Sequence, residues 1–102
     1  MKTRVVVSTN VKAFIASLAP EPRRKLRHGL KELAGGRGDV KQLDGSLAPF
    51  WRLRVGNARI VFDQKNQAGE RILFCFFAGY RATVYSVLEQ LLVSGLLEQL
   101  RD

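Results

Sequence analysis

The chain has 102 residues and 11.5 kDa, with 46% hydrophobic and 25% charged residues, the proportions of a soluble globular domain with one modest core. Seventeen Lys and Arg against nine Asp and Glu give +8 and a pI near 10.4, which favours nucleic acid, an acidic protein or another anionic surface as partner. One cysteine and one histidine exclude a disulfide framework and a zinc site, and no apolar run reaches the ~18–20 residues of a membrane span.

Thr3 to Val7 is short and β-branched and predicts a first strand. Ser8, Thr9 or Asn10 can cap the helix that follows, in which Val11, Phe14, Ile15 and Leu18 form an apolar stripe. Pro20 and Pro22 interrupt the chain, and Pro22 suits the first turn of a second helix. Leu26, Leu30 and Leu33 are the seam of that helix, and Gly35-Gly36 ends it. The two helices predict a helical hairpin. The outer face of the second carries Arg24, Arg27, His28 and Lys31 at helical spacing, where like charges repel. A solvated face explains the pattern, and so does a surface that tracks phosphates; the second reading makes Arg24, Arg27 and Lys31 candidate RNA-binding residues. His28, among cations, is not expected to act as an acid.

Gly35 to Asp39 reads as a loop without the spacing of a nucleotide-binding loop, and 40–45 leads on to a turn at Asp44-Gly45. Phe50 to Asp63 reads as a β-hairpin about Gly56-Asn57. That turn pairs Val55 with Ala58, Arg54 with Arg59, Leu53 with Ile60 and Arg52 with Val61. Alternation then puts Trp51, Leu53, Val55, Ala58, Ile60 and Phe62 on a core face, and Arg52, Arg54, Arg59 and Asp63 on the other. Opposed arginines destabilise a strand pair, so the cluster points to an anionic ligand, or to a solvated face with Asp63 as neutraliser.

Residues 65–70 read as a polar turn. Arg71 to Ala78 is almost continuously apolar, a central strand buried on both faces, with Cys75 as a small buried hydrophobe. A helix begins near Thr83, and Gly95 ends or kinks it. Leu96, Leu97 and Leu100 either pack on the sheet or offer a docking face. The order β-α-α-β-β-β-α predicts one α+β domain over 1–102: a mainly antiparallel sheet packed on an N-terminal helical hairpin, with a C-terminal helix and the helices on one side. The Met1-Lys2-Thr3-Arg4 start, followed by only a short apolar run, does not resemble a secretory signal.

The chain resembles the RelE/ParE toxin superfamily of bacterial toxin–antitoxin modules. The resemblance rests on Lys41-Gln42-Leu43-Asp44-Gly45, on the whole hairpin from Phe50 to Phe62, and on Gly79-Tyr80-Arg81-Ala82-Thr83-Val84-Tyr85. It implies a toxin neutralised by a cognate antitoxin, cytoplasmic in a bacterium. No cofactor, metal, membrane or homo-oligomer is expected. RelE-type members cleave messenger RNA on the ribosome; ParE-type members inhibit DNA gyrase without nuclease chemistry. By the same resemblance Arg52 and Arg54 take the paired basic positions, Arg59 the arginine after the turn, Arg81 the basic residue after the last strand, and Tyr85 the later aromatic. Those five are the candidate catalytic residues of a ribosome-dependent endoribonuclease that cleaves by 2′-hydroxyl attack on phosphate. The alternatives are a gyrase inhibitor or a non-toxic module that binds RNA or an antitoxin-like peptide.

Cleavage of this kind needs a base for the 2′-hydroxyl, stabilisation of the pentacovalent phosphate and a proton for the 5′-oxygen. Guanidinium groups fork onto phosphate oxygens. They do not accept protons, so the base is the open position. Asp63, on the arginine face, is the sequence's candidate for it. Arg81 and Tyr85, four apart at a helix start, are expected to share a face.

Overall fold

The structure is a computed structural model that describes residues 2–101. Five strands form one sheet: β1 (Lys2–Val7), β2 (Asp39–Gln42), β3 (Trp51–Val55), β4 (Ala58–Gln67) and β5 (Glu70–Tyr80). Their order is β1-β5-β4-β3-β2, with β1 parallel to β5 and every other pair antiparallel. The helices are α1 (Thr9–Ser17), α2 (Pro20–Ala34) and α3 (Val84–Val93). An α+β domain with a mainly antiparallel sheet on an N-terminal helical hairpin is therefore what the chain forms.

The start of α1 is fixed by Ser8, whose hydroxyl accepts from the Val11 amide at 3.4 Å. The Ser8 amide donates to the Cys75 carbonyl, and Asn10 Nδ2 donates to the Phe76 carbonyl, each at 2.9 Å. These bonds tie the helix entrance to the central strand. Pro20 and Pro22 occupy the first turn of α2, where a missing amide hydrogen costs little, and Gly35 caps its end. The stripes of α1 and α2 meet Leu53, Ile60, Phe62, Leu73 and Cys75 in one core. The hairpin register is the expected one, residue for residue. Gly56 alone of the two turn residues takes a positive φ, 58°, the arrangement of a turn with glycine at its first central position.

Three expectations need correction. Residues 39–42 are a strand that the order β-α-α-β-β-β-α leaves out, and its first residue, Asp39, is not loop: β2 pairs with β3 at the sheet edge, with Asp39 opposite Arg54 and Lys41 opposite Arg52. All four of its side chains are exposed, so backbone pairing holds it and no alternation betrays it. Residues 65–70 are not all turn; β4 and β5 stay paired to Gln67 and Glu70, and only Ala68-Gly69 turns. Finally, the helices do not share one side. Val84 and Leu88 of α3 pack with Val61 and Phe76, in a second core with Leu47 and Leu97. Ile60 and Val61 are adjacent on β4 and point to opposite faces, so α3 covers the face away from α1 and α2.

A register shift between Val61 and Phe62 skips Phe76 in the β4–β5 pairing, and Phe76 and Phe77 both join the second core. The C-terminal leucines split. Leu97 and Leu100 pack into this core through a 3₁₀ turn (Leu97–Arg101), whereas Leu96 stays exposed. No helix among the described residues is long and apolar enough to cross a membrane.

Candidate active site

The second sheet face carries a groove of about 410 Å³. Its floor is Arg52 and Arg54 of β3, with Arg59 of β4 directly across from Arg54. Lys41 and Gln42 of β2 form one wall, the 43–47 segment continues it, and Tyr85 and Glu89 of α3 form the other. The hairpin register puts the arginines together, and the second core beneath α3 holds the helix wall over them.

Arg59 is buried, 7% exposed, a place a charged group occupies only when paired or hydrogen-bonded. Its Nη1 donates to the Gly56 and Ala58 carbonyls, both at 2.9 Å, so the hairpin turn itself grips the guanidinium. Arg52 is held by Asp39: its Nη1 donates to the Asp39 carbonyl at 2.8 Å and to the Asp39 carboxylate at 3.1 Å. Arg54 Nε lies 3.9 Å from the other oxygen of the same carboxylate. The hydrogen bond from Arg52, aided by its charge and those of Arg54 and Arg59, holds the Asp39 carboxyl below its usual value. Asp39, which the sequence did not single out, thus neutralises part of the arginine face.

Of the five expected catalytic residues, the groove brings together Arg52, Arg54, Arg59 and Tyr85. Arg81 does not line it. It is exposed in the turn before α3, with its amide donating to the Asn57 carbonyl at 2.9 Å. Because α3 starts only at Val84, the spacing between Arg81 and Tyr85 is not a helical one. Asp63 shares the arginine strand face, but buried Val61 lies between it and Arg59, and it lines another hollow with Val6, Lys65 and Phe74.

Arg24, Arg27 and Lys31 are exposed on α2, across the sheet from the groove. Arg24 lines, with His28, Gly29, Glu32, Arg54 and Val55, a mainly apolar hollow of about 500 Å³. His28 is not among cations only, since its Nε2 lies 3.2 Å from Glu32. Glu32 also pairs with Arg37, whose hydrogen bond and charge lower its carboxyl further than His28 does. Cys75 is buried between the strands, and burial pushes its thiol up to about 12, which leaves it inert as a nucleophile. Among the described residues no group of three or more His, Cys, Asp or Glu could hold a metal ion.

Sequence reasoning missed Asp39, Lys41, Asp44 and Glu89 as parts of this face. The signal for Glu89 was present, since it follows Tyr85 by one helical turn. Asp39 had none, because only the β2–β3 register places it.

The protein is thus an α+β domain in which a sheet floor of arginines lies under a helix that carries a tyrosine. Among solved structures the chain is similar to the RelB–RelE antitoxin–toxin complex from Methanococcus jannaschii, with a TM-score of 0.56, 16% identity, and coverage of 80% of this chain and 96% of that one. It is also similar to the archaeal RelE–RelB complex from Pyrococcus horikoshii OT3, with a TM-score of 0.57, 19% identity, and coverage of 79% and 97%. The YoeB/ParE toxin from Agrobacterium tumefaciens matches with a TM-score of 0.53, 19% identity, and coverage of 76% and 98%. No protein-family model matches the sequence, and no curated protein does. The chain has the fold of the RelE/ParE toxin superfamily.

Proposed function

We propose that this protein is the toxin of a toxin–antitoxin module and cleaves messenger RNA on the ribosome in the bacterial cytoplasm. The observation that carries this reading is the single groove in which Arg52, Arg54, Arg59 and Tyr85 converge, on a fold shared with toxins. The three guanidinium groups bind the scissile phosphate and stabilise its pentacovalent form, a task suited to preorganised cations in a partly enclosed site. Arg59 is gripped by the hairpin turn. Tyr85 faces the same phosphate from α3, where its phenol can donate a proton to the leaving oxygen. Arg81, outside the groove, holds RNA that runs past the hairpin tip.

Arg24, Arg27 and Lys31 attract RNA at longer range from the opposite face. The partner that silences the toxin is a cognate antitoxin with an acidic, amphipathic segment. Such a segment complements both the arginine groove and the apolar hollow beside Arg54.

The test is controlled expression in a bacterium of the wild type, Tyr85→Phe and Arg81→Ala, with growth, translation rate and message ends as readouts. Wild type halts translation and leaves cut messages, Tyr85→Phe is harmless, and Arg81→Ala is weakened. Intact messages with DNA breaks from all three proteins overturn the ribonuclease reading in favour of a gyrase target.

A further inference from the structure

The groove holds three guanidinium groups that cannot accept a proton, so 2′-hydroxyl attack needs a base from elsewhere on its walls. Three carboxylates are near. Asp39 is committed to Arg52 and Arg54. Asp44 precedes a single 3₁₀ turn, Gly45–Leu47, and its carbonyl accepts from the Leu47 amide. Glu89 stands on α3 one turn after Tyr85, and both line the groove opposite the arginines. A residue and its i+4 neighbour share a helix face, so one rigid element presents a carboxylate and a phenol side by side. Among the described residues no hydrogen bond or ion pair engages the Glu89 carboxylate, whereas the second core anchors its helix through Val84 and Leu88.

Given the ribonuclease reading, on which this step rests, we propose that Glu89 is the general base of cleavage. The Glu89 carboxylate takes the proton of the 2′-hydroxyl as the 2′-oxygen bonds to phosphorus. The bond from phosphorus to the 5′-oxygen breaks, and that oxygen takes the phenolic proton of Tyr85. A 2′,3′-cyclic phosphate and a 5′-hydroxyl result. Exchange with solvent then returns the carboxylic acid and the phenolate to their starting states. The arginines neutralise the phosphate throughout and exchange no proton.

Single-turnover cleavage on programmed ribosomes tests the assignment, with three messages. One carries an ordinary scissile phosphate, one a 2′-deoxy residue that only binds, and one a sulfur in place of the 5′-bridging oxygen. Thiolate leaves without protonation, so the third message bypasses the acid but not the base. Glu89→Gln is expected to melt like the wild type, to bind the deoxy message within about threefold, and to cleave the ordinary one about 100-fold more slowly. The sulfur message should restore Tyr85→Phe and leave Glu89→Gln slow. Cleavage by Glu89→Gln within about threefold of wild type overturns the assignment, as does its rescue by sulfur or a loss confined to Asp44→Asn. If the wild type itself leaves the ordinary message whole, the ribonuclease reading falls; if wild type and Glu89→Gln cut it at comparable rates, Glu89 alone is wrong.

Discussion

Asp39 holds Arg52 twice, through its carbonyl at 2.8 Å and its carboxylate at 3.1 Å, from the edge strand next to the one that carries the arginines. The contact orients a guanidinium on the groove floor and lowers the charge density there. It also fastens β2, whose side chains are all exposed.

Acid should break this contact. In the folded protein the Asp39 carboxyl titrates below its ordinary 3.8, so its contribution to stability is present above that value and is lost as pH falls through the lower folded one. Between pH 5 and the acid range the wild type should therefore lose more melting temperature than Asp39→Asn. Glu32, lowered by Arg37, titrates in both proteins and cancels in the comparison. Thermal melts of the two proteins over that range check this.

Removing Arg59 should cost both stability and function. Arg59→Ala gives up two hydrogen bonds from a buried guanidinium, a loss of about 2 kcal/mol, measurable by denaturant unfolding. Arg59→Lys keeps a charge but not the fork. It should recover part of the stability and little of the phosphate contact, which cleavage assays on the same proteins would separate.

The cations of α2 should act through charge alone. Replacing Arg24, Arg27 and Lys31 together with Gln leaves the groove intact, because all three are exposed on the far side of the sheet. RNA binding should weaken uniformly across sequences, with a salt dependence shallower by up to about three phosphate contacts. The single-turnover cleavage rate at saturation should not change. An unchanged salt slope would remove these residues from the RNA interface.

Gly29 should not tolerate a methyl group. A Cβ there would meet Val55 Cγ2 at 2.6 Å, where α2 crosses β3. The gain of about 1 kcal/mol that alanine brings to a helix interior is then outweighed by overpacking of about 1–3 kcal/mol. Gly29→Ala should lower the melting temperature, and adding Val55→Ala should return part of it. A double-mutant cycle of melting data measures that coupling.

The hairpin was legible because each of its determinants is local. Gly56-Asn57 turns the chain, and alternation sorts Leu53, Ile60 and Phe62 from Arg52, Arg54 and Arg59, so the pairing follows from counting outward. The helices of the N-terminal hairpin were legible for the same reason, from the leucine and valine stripes between Ser8 and Gly35. The arginine cluster follows from residues within eight positions of one another. What lay beyond reach was every relation that spans the chain without a periodic mark. The exposed β2 is a strand only because β3 offers it backbone partners, and that pairing brings Asp39 to Arg52. Likewise α3 has an apolar stripe in either placement. Only the demand of Val61 and Phe76 for cover on the far face of the sheet decides where Tyr85 and Glu89 stand. Local periodicity thus determined the floor of the groove, and burial of the second sheet face, a property of the assembled chain, decided its walls.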